Sequence, residues 1–334
     1  MTGSRSRLTV YFGERGRAGD APAADGVMDR LAAHGVTHAV LLRAGEGFGP
    51  RHGLQTSSQL SLSEDLPLVV VAVGDDGRIL DAGSEVRDLL DEGLTTVEPV
   101  AQFERETATI AAGRSPSGRI TVWLRRGSRL DGRPAHEASV RLFREAGADA
   151  AIALLGIDGL SSGRRRRAGF FSANRDVPML VSAVGSWPAL GRAWAEISRL
   201  VPEAFAEASH AGAAFGDGPA GEPGSDRDVR VAVYGGGLPP GGGVGQQQLL
   251  VRRLRRAGAA GATAFQGIFG FAGEQAPHAE SFLTLRRRIP VLTEFVDSEQ
   301  RCAELMGQVR ASAGTDAIVV AQPVDIVSRP AGRA

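Results

Sequence analysis

The pentad Arg7-Leu8-Thr9-Val10-Tyr11 returns as Arg119-Ile120-Thr121-Val122-Trp123 and again as Arg230-Val231-Ala232-Val233-Tyr234, at spacings of 112 and 111 residues. Three further landmarks keep the same step: His34-Gly35, Ala146-Gly147 and Ala257-Gly258; then Gly47, Gly159 and Gly270; then Leu66-Pro67, Val177-Pro178 and Ile289-Pro290. A chain that repeats four landmarks in step folds as three copies of one unit. Its 334 residues divide into units over 7–100, 119–210 and 229–327, joined by linkers over 101–118 and 211–228. The second linker is rich in Gly, Pro and Asp, and about 18 extended residues can reach roughly 60 Å, enough to pass from one unit to the next.

Within a unit the periodicity reads strand, helix, two strands, helix, strand. Leu8, Val10 and Phe12 alternate with Thr9 and Tyr11, the period of a strand. Val27, Leu31 and His34 fall at helical spacing, and Gly35 can adopt the left-handed conformation that ends a helix. A second strand is expected over 36–43, 148–155 and 259–266, followed by a loop of about 20 residues, longer than most connections. The third strand begins at the repeated proline, a second helix covers 79–90, 190–200 and 299–312, and a closing strand covers 94–100 and 316–321; the middle copy shows a weaker one over 201–208. The fold class is α+β, with three tandem ferredoxin-like βαββαβ units. Helices cover one sheet face, yet the strands are apolar on both. The other two copies are the nearest cover for the second face, which would gather Tyr11, Trp123 and Tyr234 near a common axis.

Composition narrows the chemistry. Arginine supplies all 38 basic residues and no lysine occurs, which excludes lysine-based phosphate loops, Schiff bases and general bases. With 38 acids the formal net charge is zero, against a general nucleic-acid or anionic-membrane binder. Cys302 is the only cysteine, so neither an intrachain disulfide nor a thiolate metal cluster is available. The N-terminus lacks a signal core and no apolar run approaches the ~20 residues of a membrane span; a cytoplasmic protein is expected.

Arg7–Phe12, Arg43, Glu46-Gly47-Phe48-Gly49 and Leu62-Ser63-Glu64-Asp65-Leu66-Pro67 together resemble the domain of unknown function 190 family, a PII-like group. The resemblance covers residues 7–100 well. Copies two and three keep the strand, glycine and proline landmarks but lose Ser-Glu-Asp. It implies a covalent pseudo-trimer that acts as a monomer, nucleotide binding between units, and a long loop that reports ligand state to a partner. For single-unit relatives that partner is commonly a fluoride-export channel of the CrcB type. CutA-like metal-tolerance trimers share the architecture, so a structural or metal-linked module without nucleotide binding stays open.

The candidate ligand-binding residues are Arg43, Glu46, Gly47, Gly49, Ser63, Glu64, Asp65, Arg165 and Arg287. Gly45–Gly49 could present successive amides to a phosphate while Glu46 accepts from a ribose or base, or it could be a loop that needs glycine. Ser63-Glu64-Asp65 could hold a ligand hydroxyl, pair with Arg43, or form a turn. Arg164–Arg167 and Arg286–Arg288 suit phosphate, or are solvated charge. The Gly/Pro-rich 235–243 segment reads as a plain loop. No residue spacing suggests a metal site, and no nucleophile–base set suggests an enzyme. The expected ligand is a small anion, with an adenine nucleotide first, and no resident cofactor.

Overall fold

A computed structural model describes residues 4–49, 55–56, 65–104, 116–169, 174–213, 227–236, 246–274, 277–279, 290–314 and 316–328. The chain is a mixed α/β structure with six helices among the described residues and an extensive antiparallel sheet. The first unit comprises β1 (Arg5–Gly13), α1 (Ala23–Ala33), β2 (His38–Arg43), β3 (Glu46–Phe48), β4 (Pro67–Asp75), α2 (Asp76–Leu89) and β5 (Leu94–Gln102). The second comprises β6 (Ser117–Arg125), α3 (Ala135–Glu145), β7 (Ala150–Ser161), β8 (Arg164–Arg165), β9 (Pro178–Ser186), α4 (Trp187–Leu200) and β10 (Phe205–His210). The third comprises β11 (Asp228–Gly236), α5 (Gln246–Arg256), β12 (Ala262–Gln266), β13 (Phe269–Ala272), β14 (Pro290–Ser298), α6 (Glu299–Ala313) and β15 (Ile318–Ser328).

In every unit the first strand lies between the third and the last, and the second strand pairs outside the third. The orders are β2-β4-β1-β5, β7-β9-β6-β10 and β12-β14-β11-β15, all antiparallel. Each helix pair packs on one face of its own sheet through an apolar cluster, with Leu8, Val27 and Ile79 in the first unit, Ile120, Phe143 and Leu190 in the second, and Val231, Leu254 and Leu305 in the third. A fourth cluster combines Val40, Val71, Trp123, Ile152, Tyr234 and Leu292 from all three units, with Tyr11 packed against it. The second face of each sheet is therefore covered by the other two.

The repeated glycines have two different jobs. Gly35, Gly147 and Gly258 follow helix ends with φ of +67°, +83° and +79°. Each N–H bonds back into its helix, Gly35 to the Ala32 carbonyl, Gly147 to Arg144 and Gly258 to Arg255. The next residue's N–H closes the cap on Leu31, Phe143 or Leu254, so the left-handed residue turns the chain into the following strand.

Gly47, Gly159 and Gly270 instead permit close approach between units. Gly47 pairs with Thr263, Gly159 with Val40 and Gly270 with Ile152, always across a unit boundary. A Cβ on Gly47 would lie 2.7 Å from the Ala262 carbonyl oxygen and 2.8 Å from Pro67 Cγ, and one on Gly270 would lie 2.7 Å from the Ala151 oxygen and 2.9 Å from Pro290 Cβ. Gly159 is confined in the same way by Ala39 and Pro178. Each glycine is thus held between a neighbour's backbone and its own unit's strand-opening proline. The pairings run from the first unit to the third, the third to the second and the second to the first, and close a ring.

Four expectations change. The second strand of the middle unit runs to Ser161, not 155, because Gly156–Ser161 has the edge of β2 to pair with. Arg164–Arg165 therefore lies in a short strand folded back on Leu160 and Ser161, not in an open loop. The closing strand of that unit starts at Phe205, since the Val201 N–H is still bonded to the Ile197 carbonyl of the helix. The first linker also begins inside the fold: Phe103 is buried and stacks on Trp187 at 5.9 Å between ring centroids.

A Cβ at Gly147 would meet nothing within 4 Å, so Gly147→Ala incurs only the left-handed backbone cost. Thermal or urea denaturation should show a loss of about 1–2 kcal/mol.

Candidate functional site

The three pentad arginines converge. Arg7, Arg119 and Arg230 are all buried, and each reaches into the next unit. Arg7 Nη1 lies 2.9 Å from Glu207 Oε1 and donates to Thr121 Oγ1 at 3.1 Å. Arg119 Nη1 donates to Gln322 Oε1 at 3.1 Å and lies 3.5 Å from Glu294 Oε1. Arg230 Nη2 donates to both oxygens of Glu98 at 2.6 and 2.8 Å and to Gln322 Oε1 at 2.7 Å. Three guanidiniums meet three carboxylates, so the cluster is neutral. Its arginines occupy matching positions, but its acids do not. Glu98 lies opposite Arg7 in the ladder, Glu207 opposite Thr121 and Glu294 opposite Ala232. Burial pushes the Glu207 carboxyl up. Burial also pushes Glu294 up, but Arg230, Arg119 and Arg7 together reverse this and leave it below the usual range.

The pentad aromatics follow the opposite sense. The Tyr11 hydroxyl donates to Glu294 Oε2 at 3.1 Å, and Tyr234 shares a 2.9 Å hydrogen bond with Ser182. The matching ladder position in the first unit is Val71, which offers no acceptor, and the Trp123 indole N–H has no partner. Burial, then the Glu294 charge, raises the Tyr11 phenol above its ordinary value.

Around this centre lie three junctions, matched residue for residue. Glu46 pairs with Ala264, Asp158 with Leu41 and Phe269 with Ala153, the same register at each boundary. The matched residue on the neighbour's first helix is Arg252, Asp29 and Arg141 respectively. At the second junction Arg165 forms a clasp: Nη2 lies 2.8 Å from Asp158 Oδ2 and 2.5 Å from Asp25 Oδ1, while Nη1 lies 2.8 Å from Asp29 Oδ1. Arg167 adds contacts of 3.1 Å to Asp25 and 3.6 Å to Asp158. The Arg165 guanidinium is held above its ordinary pKa, chiefly by its hydrogen bond to Asp158. At the third junction the Arg141 guanidinium sits 5.1 Å from the centre of the Phe269 ring, and Arg144 sits 5.4 Å from that of Phe271.

The first junction is filled differently. Glu46 is 2% exposed and neither carboxylate oxygen has a hydrogen-bond partner. Burial pushes its pKa up to about 7, while the positive charge of Arg252 works in the other direction.

The sequence-derived candidates scatter around this frame. Arg43 ends β2, half exposed, and is ion-paired with Glu14. Gly47 is a packing glycine in the strand ring, and a Cβ on Gly49 would meet nothing within 4 Å. Glu46 and Gly47 pair with Thr56 and Gln55 on one side and with Ala264 and Thr263 on the other, while the Gly45 N–H bonds to Ala264. The segment is a strand between strands and not an open nest of amides. Asp65 accepts the Arg15 backbone N–H at 2.7 Å and so supports the turn after β1. Arg165 is engaged by carboxylates. Ser63, Glu64 and Arg287 lie outside the described residues.

Sequence reasoning missed Asp158, Asp25, Asp29, Arg252 and the axial acids. A signal existed in the charge distribution. Residues 5–102 carry nine arginines against fifteen acids, and 118–211 carry fourteen against nine, so the second unit has cations to offer the first. Of the histidines, His38 stacks on Phe205 at 4.6 Å, and burial, followed by Arg5, lowers its pKa to about 4. No group of three His, Cys, Asp or Glu among the described residues is placed to hold a metal.

The family model for domain of unknown function 190, described as an uncharacterized ACR, matches residues 5–102, 118–211 and 241–326. The chain belongs to this family. It carries three tandem copies of the family's domain. Among solved structures it is similar to aspartate kinase from Synechocystis, at 12% identity and a TM-score of 0.27, over 95% of this chain and 43% of that one. That likeness is too slight to inform fold or function. Among the described residues no helix is long and apolar enough to cross a membrane.

Two expectations follow. Arg230→Met removes both hydrogen bonds to the buried Glu98 and leaves it only the 3.6 Å contact with Arg7 Nε; it should cost about 3 kcal/mol, whereas Arg230→Met with Glu98→Leu should recover part of that loss in denaturant titrations. A double variant no more stable than the single would contradict the pairing. At Glu46 the folded state retains a proton that the unfolded chain releases near its usual pKa of 4.5, so this group's contribution to stability falls as pH rises through about 7. The melting temperature of Glu46→Gln, relative to the parent, should therefore climb between about pH 5 and about pH 8. A difference independent of pH would show that Glu46 ionises freely.

Proposed function

We propose that this chain is a non-catalytic PII-like regulatory protein. In this reading its three ferredoxin-like units form an intramolecular pseudo-trimer that binds a small anionic ligand, with an adenine nucleotide as the first candidate, between units. The observation that carries the reading is the unequal state of the three matched junctions. The second is occupied by the Arg165 clasp and the third by Phe269 beneath Arg141. The chain therefore supplies its own side chains where a ligand would otherwise bind. Only the first retains a buried carboxylate with no partner among the described residues.

A ligand there would place hydrogen-bond donors of its base or ribose against Glu46 and its anionic end toward Arg252 and Arg43. This assigns the phosphate to guanidiniums, which suit it, because the amides of the Gly45–Gly49 segment are engaged in strand pairing. In this reading an occupied site would change what the surface around this junction offers a partner. A membrane transporter such as a CrcB-type fluoride channel is the candidate that family resemblance suggests, with the protein on the cytoplasmic side.

Isothermal calorimetry against ATP, ADP, AMP and cyclic nucleotides tests the proposal. The expected result is saturation at about one ligand per chain for at least one of them. No heat from any at millimolar concentration would remove the nucleotide, and three equivalent sites would contradict the argument that two junctions are self-filled.

A further inference from the structure

At both self-filled junctions the group over the matched residue is a guanidinium. Asp158 receives Arg165, whose Nε lies 3.2 Å and Nη2 2.8 Å from the same carboxylate oxygen. Phe269 receives Arg141, whose guanidinium carbon lies over the ring at 5.1 Å from its centre. Glu46 occupies the same ladder position, in the same register, with a carboxylate like that of Asp158 and a similar burial of 2% against 1%. Both of its oxygens are unpartnered, which is costly for a buried carboxylate. Arg252 does not relieve it: no hydrogen bond joins the two, and Arg252 Nε is itself buried without a partner.

We propose that Glu46 is the receptor for a planar guanidinium or amidinium group carried by a small molecule, and that Arg165 on Asp158 is the built-in counterpart of the same contact. The inference rests on the reading above that the first junction is the ligand site, and it specifies which end of the ligand Glu46 recognises. Two parallel N–H donors in one plane match a carboxylate, and an ammonium group cannot reproduce that geometry. Arg252 lies close enough to act on Glu46 through its charge, so the ligand's other end is acidic. A zwitterion of the arginine type satisfies both groups.

The test uses the full chain with L-arginine as probe and L-lysine as control, read by calorimetry and thermal shift. The expected result is one saturable site for L-arginine, at least tenfold weaker binding of L-lysine, and at least tenfold loss for L-arginine in Glu46→Gln. Arg165→Ala opens Asp158, which then keeps only the longer 3.6 Å ion pair with Arg167, so that variant should bind a second, weaker arginine per chain and regain part of its lost melting temperature as the probe is added. The parent and Glu46→Gln decide the matter even if Arg165→Ala does not fold. Equal binding of arginine and lysine overturns the proposal, as does binding indifferent to Glu46→Gln or no binding to the parent. A nucleotide that binds where arginine does not would leave the regulatory reading standing without this one. Arginine binding with no nucleotide response would do the reverse.

Discussion

The structure depends on a neutral cluster of buried ions at the centre of the chain. Arg7, Arg119 and Arg230 each leave their own sheet to meet their shortest carboxylate contact on the next unit, although Arg7 Nε also lies 3.6 Å from Glu98 of its own unit. A buried guanidinium without its carboxylate is severely unfavourable, and the same holds in reverse. Each unit is therefore incomplete alone in two respects, an apolar sheet face needing cover and an ion needing a counter-ion. The acids stand at three unmatched ladder positions, an arrangement open only to a chain whose units are not identical. Their placement gives each arginine a different nearest carboxylate, Glu207 for Arg7, Glu294 for Arg119 and Glu98 for Arg230, and so favours one cyclic order of the units.

The outer ring repeats this logic in backbone hydrogen bonds. A strand segment of each unit pairs with its neighbour's second strand, and a glycine sits at each crossing because two backbones and a proline leave no room for a side chain. The ring fixes the register of all three junctions. It also lets their side chains diverge, because the backbone contact does not depend on them. One junction holds an ion clasp, one an arginine over an aromatic ring, and one a carboxylate without a hydrogen-bond partner.

Most of the frame was legible in the residues, because the constraints behind it act on backbone conformation. A helix-ending glycine with positive φ, a glycine against a proline, and an apolar strand opened by proline all leave marks at fixed spacing. The gathering of Tyr11, Trp123 and Tyr234 around one centre also followed from two-faced strands. The axial carboxylates were hidden because Glu98, Glu207 and Glu294 do not recur in step. Arg165 was visible as one of four consecutive arginines, but its partners Asp25 and Asp29 lie more than a hundred residues earlier, and nothing local links them. The Gly45–Gly49 run looked like an open loop because its pairing strand belongs to another unit. Long-range pairing decides the chemistry at each of these places.

Small-angle scattering with mass determination tests the closed arrangement most directly. At micromolar concentration the account predicts a single-chain mass of 34.9 kDa and a radius of gyration of about 20 Å, the value for one compact body of this length. A radius well above that at the same mass, as from three domains strung apart, or a particle of three chains, would contradict it.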